Sequence, residues 1–151
     1  SDRGRLIAGP DEFAEMLEKA AGYESKTDYL ILVNRSLHMV AVYQKSGDGY
    51  ALVNSFRCTV GAGDSQTITG EYDINGRLYY FDHDKSRLFY ATRIYRGYFF
   101  HSVIYRQDPT PTQIIDGRIG QDLSLGCVRL EIDNAKYIYD SIPNGTKVVI
   151  Y

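Results

Sequence analysis

Tryptophan is absent from this chain, cysteine occurs only at Cys58 and Cys127, and no long apolar run is present. Without an apolar run long enough to cross a bilayer, a membrane-spanning helix is excluded. Two cysteines are too few for a disulfide-stapled scaffold. One Cys58–Cys127 bridge is allowed by the count. The contexts differ, however: Cys58 sits inside Phe56-Arg-Cys-Thr-Val60, which reads as a strand with an inert buried thiol, and Cys127 follows a glycine. No block of like charge stands out and the formal net charge is -2, so nothing marks a surface for nucleic acid or an anionic membrane. Repeats and low-complexity linkers are missing too. There is no signal peptide and no initiator Met, and a start at Ser1 suggests a processed or truncated chain.

What remains is an ordinary globular composition. Hydrophobic residues make up 44% and charged residues 24% of 151 positions, which suits one domain with a real core. The 14 tyrosines favour strands and offer flat, half-polar rings that can line a wet groove.

Residues Pro10 to Ala21 read as a helix, with Phe13, Met16, Leu17 and Ala20 at helical spacing and Gly22 as a stop. From Tyr29 the pattern becomes β-rich. Tyr29 to Val33 and Leu37 to Tyr43 form a hairpin around Asn34-Arg-Ser36. Tyr50 to Val60 reads as one strand ended by Gly61-Ala-Gly63, which is no phosphate loop because the lysine and following helix are missing. Asn75-Gly76 is a strong turn signal between Tyr72-Asp-Ile74 and Leu78 to Phe81. Leu88 to Tyr95 and Tyr98 to Tyr105 are apolar runs separated by Arg96-Gly97. Arg106 to Asp122, polar and containing Pro109 and Pro111, is a long loop of the kind that carries function. Asp133 is the expected N-cap of a second helix with the stripe Ala135, Ile138, Tyr139, Ile142, and Lys147 to Tyr151 closes the chain as a strand.

Chemistry concentrates near the end of the long loop. In Ser124-Leu-Gly-Cys-Val-Arg129, the glycine lets backbone approach a ligand and aim N–H groups at it, as an acyl-transfer oxyanion site requires. A small buried cysteine in a tight turn is the plainer reading of Gly-Cys alone. His101 follows the apolar run Tyr98-Phe-Phe100 and lies 127 − 101 = 26 positions upstream, across the loop. An imidazole brought beside a thiol can take its proton and make it a nucleophile. Asp82-His83-Asp84 reads as a solvated turn, since three adjacent residues cannot close a metal site. His38, in the first hairpin, reads as structural.

His101-Ser102 followed by Ser124-Leu-Gly-Cys-Val-Arg129 resembles the signature of the L,D-transpeptidase catalytic domain, the YkuD-type family. The likeness extends to Ile31 to Tyr43, to Val60-Gly61 with Thr67 to Ile74, and to Leu130 to Tyr151. Leu125 stands where the family has a second histidine, Ile68 replaces its proline, and the spacer after His101 is longer than is common.

The resemblance implies a mainly β fold, a β-sandwich-like mixed-sheet domain with two short helices. It implies an N-terminal helical segment over 1–27 and a catalytic domain over 28–151. It implies an enzyme of peptidoglycan biosynthesis and cell-shape maintenance that forms 3→3 cross-links from a stem tetrapeptide donor. An L,D-carboxypeptidase that uses water, and a catalytically weak wall-binding module favoured only by Leu125, are the rival readings. Residue by residue, Cys127 is the nucleophile, His101 its base, and the Ser102 carbonyl orients the imidazole. The N–H groups of Gly126 and Cys127 form the oxyanion hole. Arg129 braces the catalytic loop or meets a substrate carboxylate, bracing being preferred; Ser124 and Tyr90 belong to the substrate groove. No metal or organic cofactor is implied. The expected partners are peptidoglycan stem peptides and carbapenem-type β-lactams, not nucleic acid. The domain is expected to be monomeric and to act outside the cytoplasm, in a bacterial cell envelope.

Overall fold

Strand β1 (Tyr29–Asn34) is apolar and buried from Leu30 to Val33, where both of its faces are covered. The computed structural model, which describes residues 8–151, pairs β1 antiparallel with β2 (Met39–Ser46) and parallel with β13 (Lys147–Ile150). β3 (Gly49–Arg57) and β5 (Gly70–Asp73) complete a five-stranded sheet in the order β3-β2-β1-β13-β5. Alternation then sorts the side chains. Ile31, Val33, Val40, Val42, Val148 and Ile150 enter the central core. Leu30, Leu32, Ala41, Tyr43 and Val149 turn outward, where Met16 and Ala20 of helix α1 (Pro10–Ala20) cover them. The helix start is fixed by the Glu12 carboxylate, which accepts the Gly9 N–H at 2.8 Å. Part of the N-terminal segment, residues 1–7, lies outside the described residues.

The second sheet contains β6 (Arg77–His83), β7 (Ser86–Tyr95), β8 (Tyr98–Ser102), β9 (Ile104–Arg106), β10 (Ile114–Asp116) and β12 (Val128–Leu130). Its order is β10-β9-β7-β8-β12, with β6 paired on β7. Short strands β4 (Val60–Gly61) and β11 (Asp122–Ser124) pair parallel apart from both sheets. Helix α2 (Ile132–Ser141) lays Ala135 and Ile138 on the core between the sheets. The fold is mainly β, mixed and sandwich-like, with two short helices.

Several local expectations are corrected. The Tyr50–Val60 run breaks at Cys58, and β4 leaves for another partner. The Asn75-Gly76 turn is not a hairpin: β5 pairs with β13 in one sheet and β6 with β7 in the other, so the turn is a corner between sheets. It is clipped to β7 by Asn75 N–H to Arg93 carbonyl and Arg93 N–H to Gly76 carbonyl bonds, at 3.2 and 2.9 Å. The 106–122 segment is not all loop, because β10 pairs with β9. Helix α2 starts before Asp133, with Glu131 as N-cap, so Asp133 serves in the first turn, where its charge suits the helix dipole.

Candidate active site

Strand β12 runs parallel to β8 with Val128 opposite Phe100, Arg129 opposite His101 and Leu130 opposite Ser102. Side chains alternate across a strand. Phe100, Val128 and Leu130 therefore enter the core, while His101 and Arg129 share the other face. Cys127, two positions before Arg129, falls on that same face. His101, Arg129 and Cys127 line one cavity of about 390 Å³, with Phe81, Asp116 and Leu125 on its walls.

The imidazole is fixed by its chain neighbour. His101 Nδ1 lies 2.7 Å from the Ser102 carbonyl. A carbonyl only accepts, so Nδ1 carries the hydrogen and a neutral ring keeps its lone pair on Nε2. Burial lowers the pKa of His101 to about 4, against the Ser102 bond, which raises it; the positive charge of Arg129 adds to the lowering. Phe81 braces the ring edge-on, with centroids 5.6 Å apart. The Ser102 hydroxyl works elsewhere, accepting the Phe89 N–H at 2.9 Å and donating to the Val103 carbonyl at 2.7 Å.

Among the described residues, the hydrogen-bond partners of Cys127 Sγ are the Phe99 N–H at 3.4 Å and the Gly97 carbonyl at 3.5 Å; His101 is not one. Burial pushes the thiol pKa up, and the Phe99 N–H opposes this. Thiol and imidazole thus rest as neutral groups in a shared cavity. Both cysteines are free, so the Cys58–Cys127 bridge is absent. Cys58 is fully buried in the core, and burial pushes its thiol pKa up strongly.

The turn before Cys127 is tightly specified. Gly126 has φ +127°, and a Cβ there would meet Tyr98 Cε1 at 2.9 Å. Ser124 Oγ donates to the Cys127 carbonyl at 2.7 Å and accepts the Gly126 N–H at 3.1 Å. Two expectations change as a result. Ser124 touches the cavity, but its hydroxyl is engaged inside the turn and braces it. The Gly126 N–H is already bonded, so it can meet an oxyanion only if Ser124 yields it. Beneath the turn, the Ala62 N–H donates to the Ser124 carbonyl at 3.1 Å, and the Gly61 N–H to Thr67 Oγ1 at 2.8 Å. A Cβ on Gly61 would lie 1.9 Å from the Ser65 carbonyl oxygen, which is why glycine stands there.

Arg129 is buried, and its Nη1 lies 3.4 Å from Asp116 Oδ2 and from the Arg118 carbonyl. It thereby ties strand β10 to β12. Tyr90 is not on the cavity wall. Its φ of +53° breaks the strand alternation where β7 exchanges β9 for β8 as partner. Its ring consequently turns to Tyr79 and to Tyr139 of α2, with centroids 5.4 and 5.3 Å away. Leu125 sits at the cavity rim, 72% exposed. Asp82 and His83, read from sequence as part of a solvated turn, end β6 and line the cavity, with Asp82 paired to Arg87 at 2.8 Å. Among the described residues no cluster of three or more His, Cys, Asp or Glu side chains is placed to hold a metal ion. His38 Nε2 meets Asp122 Oδ1 at 2.6 Å and so fastens the first hairpin to β11. Sequence reasoning missed Phe81, Gly97 and Asp116, whose roles come from pairing across strands and leave no local signal.

Known proteins resemble this chain in sequence and fold. The sequence matches the YkuD profile, described as the L,D-transpeptidase catalytic domain, over residues 28–150. A candidate L,D-transpeptidase, YciB of Bacillus subtilis (strain 168), is 42% identical over 53 residues, covering 35% of this chain and 27% of that protein. A crystal structure from Clostridium acetobutylicum ATCC 824, of a fused Zn-dependent amidase/peptidase/peptidoglycan-binding domain-containing protein, superposes with TM-score 0.75 at 33% identity. It covers 97% of this chain and 65% of the other. LD transpeptidase LdtMt1 in complex with imipenem shares the fold at TM-score 0.64 and 18% identity, over 82% of this chain and 59% of that one. The chain thus spans about a quarter of the curated relative and just under two thirds of the Clostridium protein.

Proposed function

Because the chain belongs to the L,D-transpeptidase catalytic domain family, we propose that it is a cysteine-dependent peptidoglycan L,D-transpeptidase. The observation that carries this is that Cys127, just before β12, and His101, on the neighbouring parallel strand β8, line one cavity, with Nδ1 engaged by Ser102 and Nε2 left for the thiol. Cys127 Sγ attacks the carbonyl carbon of the L-centre in a stem tetrapeptide. The thiol proton passes to His101 Nε2 and on to the leaving nitrogen, the C–N bond to the terminal D-amino acid breaks, and a thioester forms. An amine from a second stem peptide then attacks the thioester and gives its proton to His101, and the thiol is restored. The product is a 3→3 cross-link. The oxyanion is met by the Cys127 backbone N–H, and by that of Gly126 once Ser124 Oγ releases it.

The thiol must first turn from the Gly97 carbonyl towards the ring. The domain acts as a monomer outside the cytoplasm, where its polymer substrate is assembled, and carbapenems acylate Cys127. The imipenem complex of LdtMt1, a protein of the same fold, supports the last point. The peptidoglycan-binding domain named in the Clostridium protein fits the substrate. The deciding experiment is mass spectrometry of purified disaccharide tetrapeptides incubated with the protein. Cross-linked dimers support transpeptidation, and tripeptides without dimers mean that water is the acceptor. Unchanged substrate, with wild type and Cys127→Ala alike, would sink the enzyme reading.

A further inference from the structure

Arg93 of β7 is held everywhere except at its tip. Its backbone exchanges hydrogen bonds with the corner turn, accepting the Asn75 N–H at 3.2 Å and donating to the Gly76 carbonyl at 2.9 Å. Its guanidinium lies over the Phe99 ring, 5.1 Å from the centroid. Its Nε–H donates to the Arg96 carbonyl at 3.2 Å. A Cβ on Gly76 would lie 3.0 Å from Arg93 Nη1, so the glycine leaves the room in which the guanidinium sits. The two Nη groups have no acceptor among the described residues. Arg87, Arg118 and Arg129 each have an aspartate within ion-pair distance; among the described residues Arg93 has no such partner. A half-buried, preoriented guanidinium with both Nη groups open suits a carboxylate, which it can meet with two parallel bonds.

Its place relative to the thiol decides which carboxylate. Arg93 pairs with Phe99 across β7 and β8, and the Phe99 N–H meets Cys127 Sγ at 3.4 Å. With neighbouring strands about 4.8 Å apart, the guanidinium stands roughly 10 Å from the sulfur. It lies outside the cavity, beyond two residues that line it, Gly97 and Phe81, the latter with its ring 5.3 Å from that of Phe99. About two residues of extended chain and a short side group cover that span. We propose that Arg93 anchors an acidic group on the residue that precedes the L-centre of the donor stem peptide. It thereby selects donors with a free carboxylate there over donors amidated at that group. This deepens the function proposed above and rests on it.

Two N-acetylated stem tetrapeptides test this, identical except for a carboxylate or a carboxamide on the residue before the L-centre. Calorimetry on Cys127→Ala, which cannot turn over, should show the acid bound at least about tenfold more tightly, with the advantage shrinking as salt screens it. Intact-mass measurement of wild-type acylation by each donor, with no acceptor present, should show the same preference. Arg93→Gln should cut both preferences to under about twofold, and Arg93→Lys, which keeps the charge but loses the paired donors, should leave about threefold. A role confined to bracing the turn would leave the ratio of acid to amide untouched. If Arg93→Gln does not fold, the Arg93→Lys protein decides. Equal binding of acid and amide, a preference that both substitutions leave intact, or no binding of either peptide would overturn the anchor. Preferential binding of the acid while both donors acylate equally fast would assign the carboxylate to the acceptor peptide and overturn the donor assignment. Preferential binding of the acid by a protein that neither donor acylates would instead keep the anchor and sink the enzyme reading.

Discussion

His101 Nδ1 and the carbonyl oxygen of Ser102, adjacent in the chain, lie 2.7 Å apart. This bond decides which ring nitrogen can serve as a base. Because the acceptor is main chain, no substitution at position 102 deletes it, whereas the Ser102 hydroxyl bonds to Phe89 and Val103 and only steadies the strand.

The two thiols should separate cleanly. Cys127→Ala should abolish acyl transfer and leave the melting temperature nearly unchanged. Cys58→Ala, at a fully buried core position, should keep activity and lose about 1 kcal/mol of stability as a small cavity opens. Intact-mass analysis with imipenem should show one adduct on wild type and none on Cys127→Ala. An adduct surviving in that variant would refute the assignment of the site.

Alkylation reads the resting state of the nucleophile. With Sγ bonded to Gly97 and Phe99 and its pKa raised by burial, iodoacetamide should react slowly at neutral pH and faster as the medium becomes alkaline. His101→Gln should change that rate by less than about threefold, yet cut acyl transfer by roughly 10²–10⁴-fold, the usual worth of a general base. Fast alkylation at pH 6 that collapses in His101→Gln would mean a pre-formed thiolate–imidazolium pair.

Acid should destabilise the fold through His101. Its folded pKa, about 4, lies below the unfolded value of 6.5. Between those values the unfolded chain binds more protons, so stability falls as pH drops from about 6.5 to 4. The loss is on the order of 3 kcal/mol. Asp116, held below the ordinary carboxylate range by Arg118 first of all, adds its own loss only at lower pH. Urea melts at pH 7 and pH 5 should show the drop in wild type, and His101→Gln should flatten it.

At Gly126 the backbone conformation and the contact with Tyr98 act together. Gly126→Ala should cost roughly 1–3 kcal/mol in strain and misplace the thiol. Pairing it with Tyr98→Ala should recover some of the stability, since the steric part is relieved, but little of the activity. A fully active Gly126→Ala would show that the turn tolerates another conformation.

Leu125 is mostly exposed at the cavity rim, so Leu125→His should fold normally. The acylation rate should change little, because His101 already covers the proton transfers. A gain beyond about tenfold, roughly 1.4 kcal/mol of barrier, would mark Leu125 as an impairment and favour the wall-binding reading.

Local pattern made much of this legible. Helical spacing marked α1 and alternation marked the first hairpin, because these signals lie within a few residues of one another, whereas Gly126-Cys127 and a histidine far upstream pointed to the chemistry through the family resemblance. Tyr90, set on the groove wall by the family resemblance, turns to Tyr79 and Tyr139 instead, because its left-handed φ interrupts the strand alternation, and a tyrosine gives no warning of that in the sequence. The Asn75-Gly76 turn was visible, but its partners were not, since any turn can join strands of one sheet or of two. Ser124 was visible as a motif residue, but its inward hydrogen bonds were not.

The sequence by itself determined the class of fold, set the contexts of the two thiols apart and singled out Cys127 and His101 as candidates, through short stretches, residue chemistry and the family resemblance they carry. Only the tertiary structure decided that parallel pairing of β8 with β12 sets Cys127 and His101 on one face. It alone showed Sγ turned to Gly97, and Asp116 taken by Arg118 while a buried Arg129 keeps a free donor. Those facts come from strand register and from competition among three charged groups of neighbouring strands, and neither is encoded at any single position.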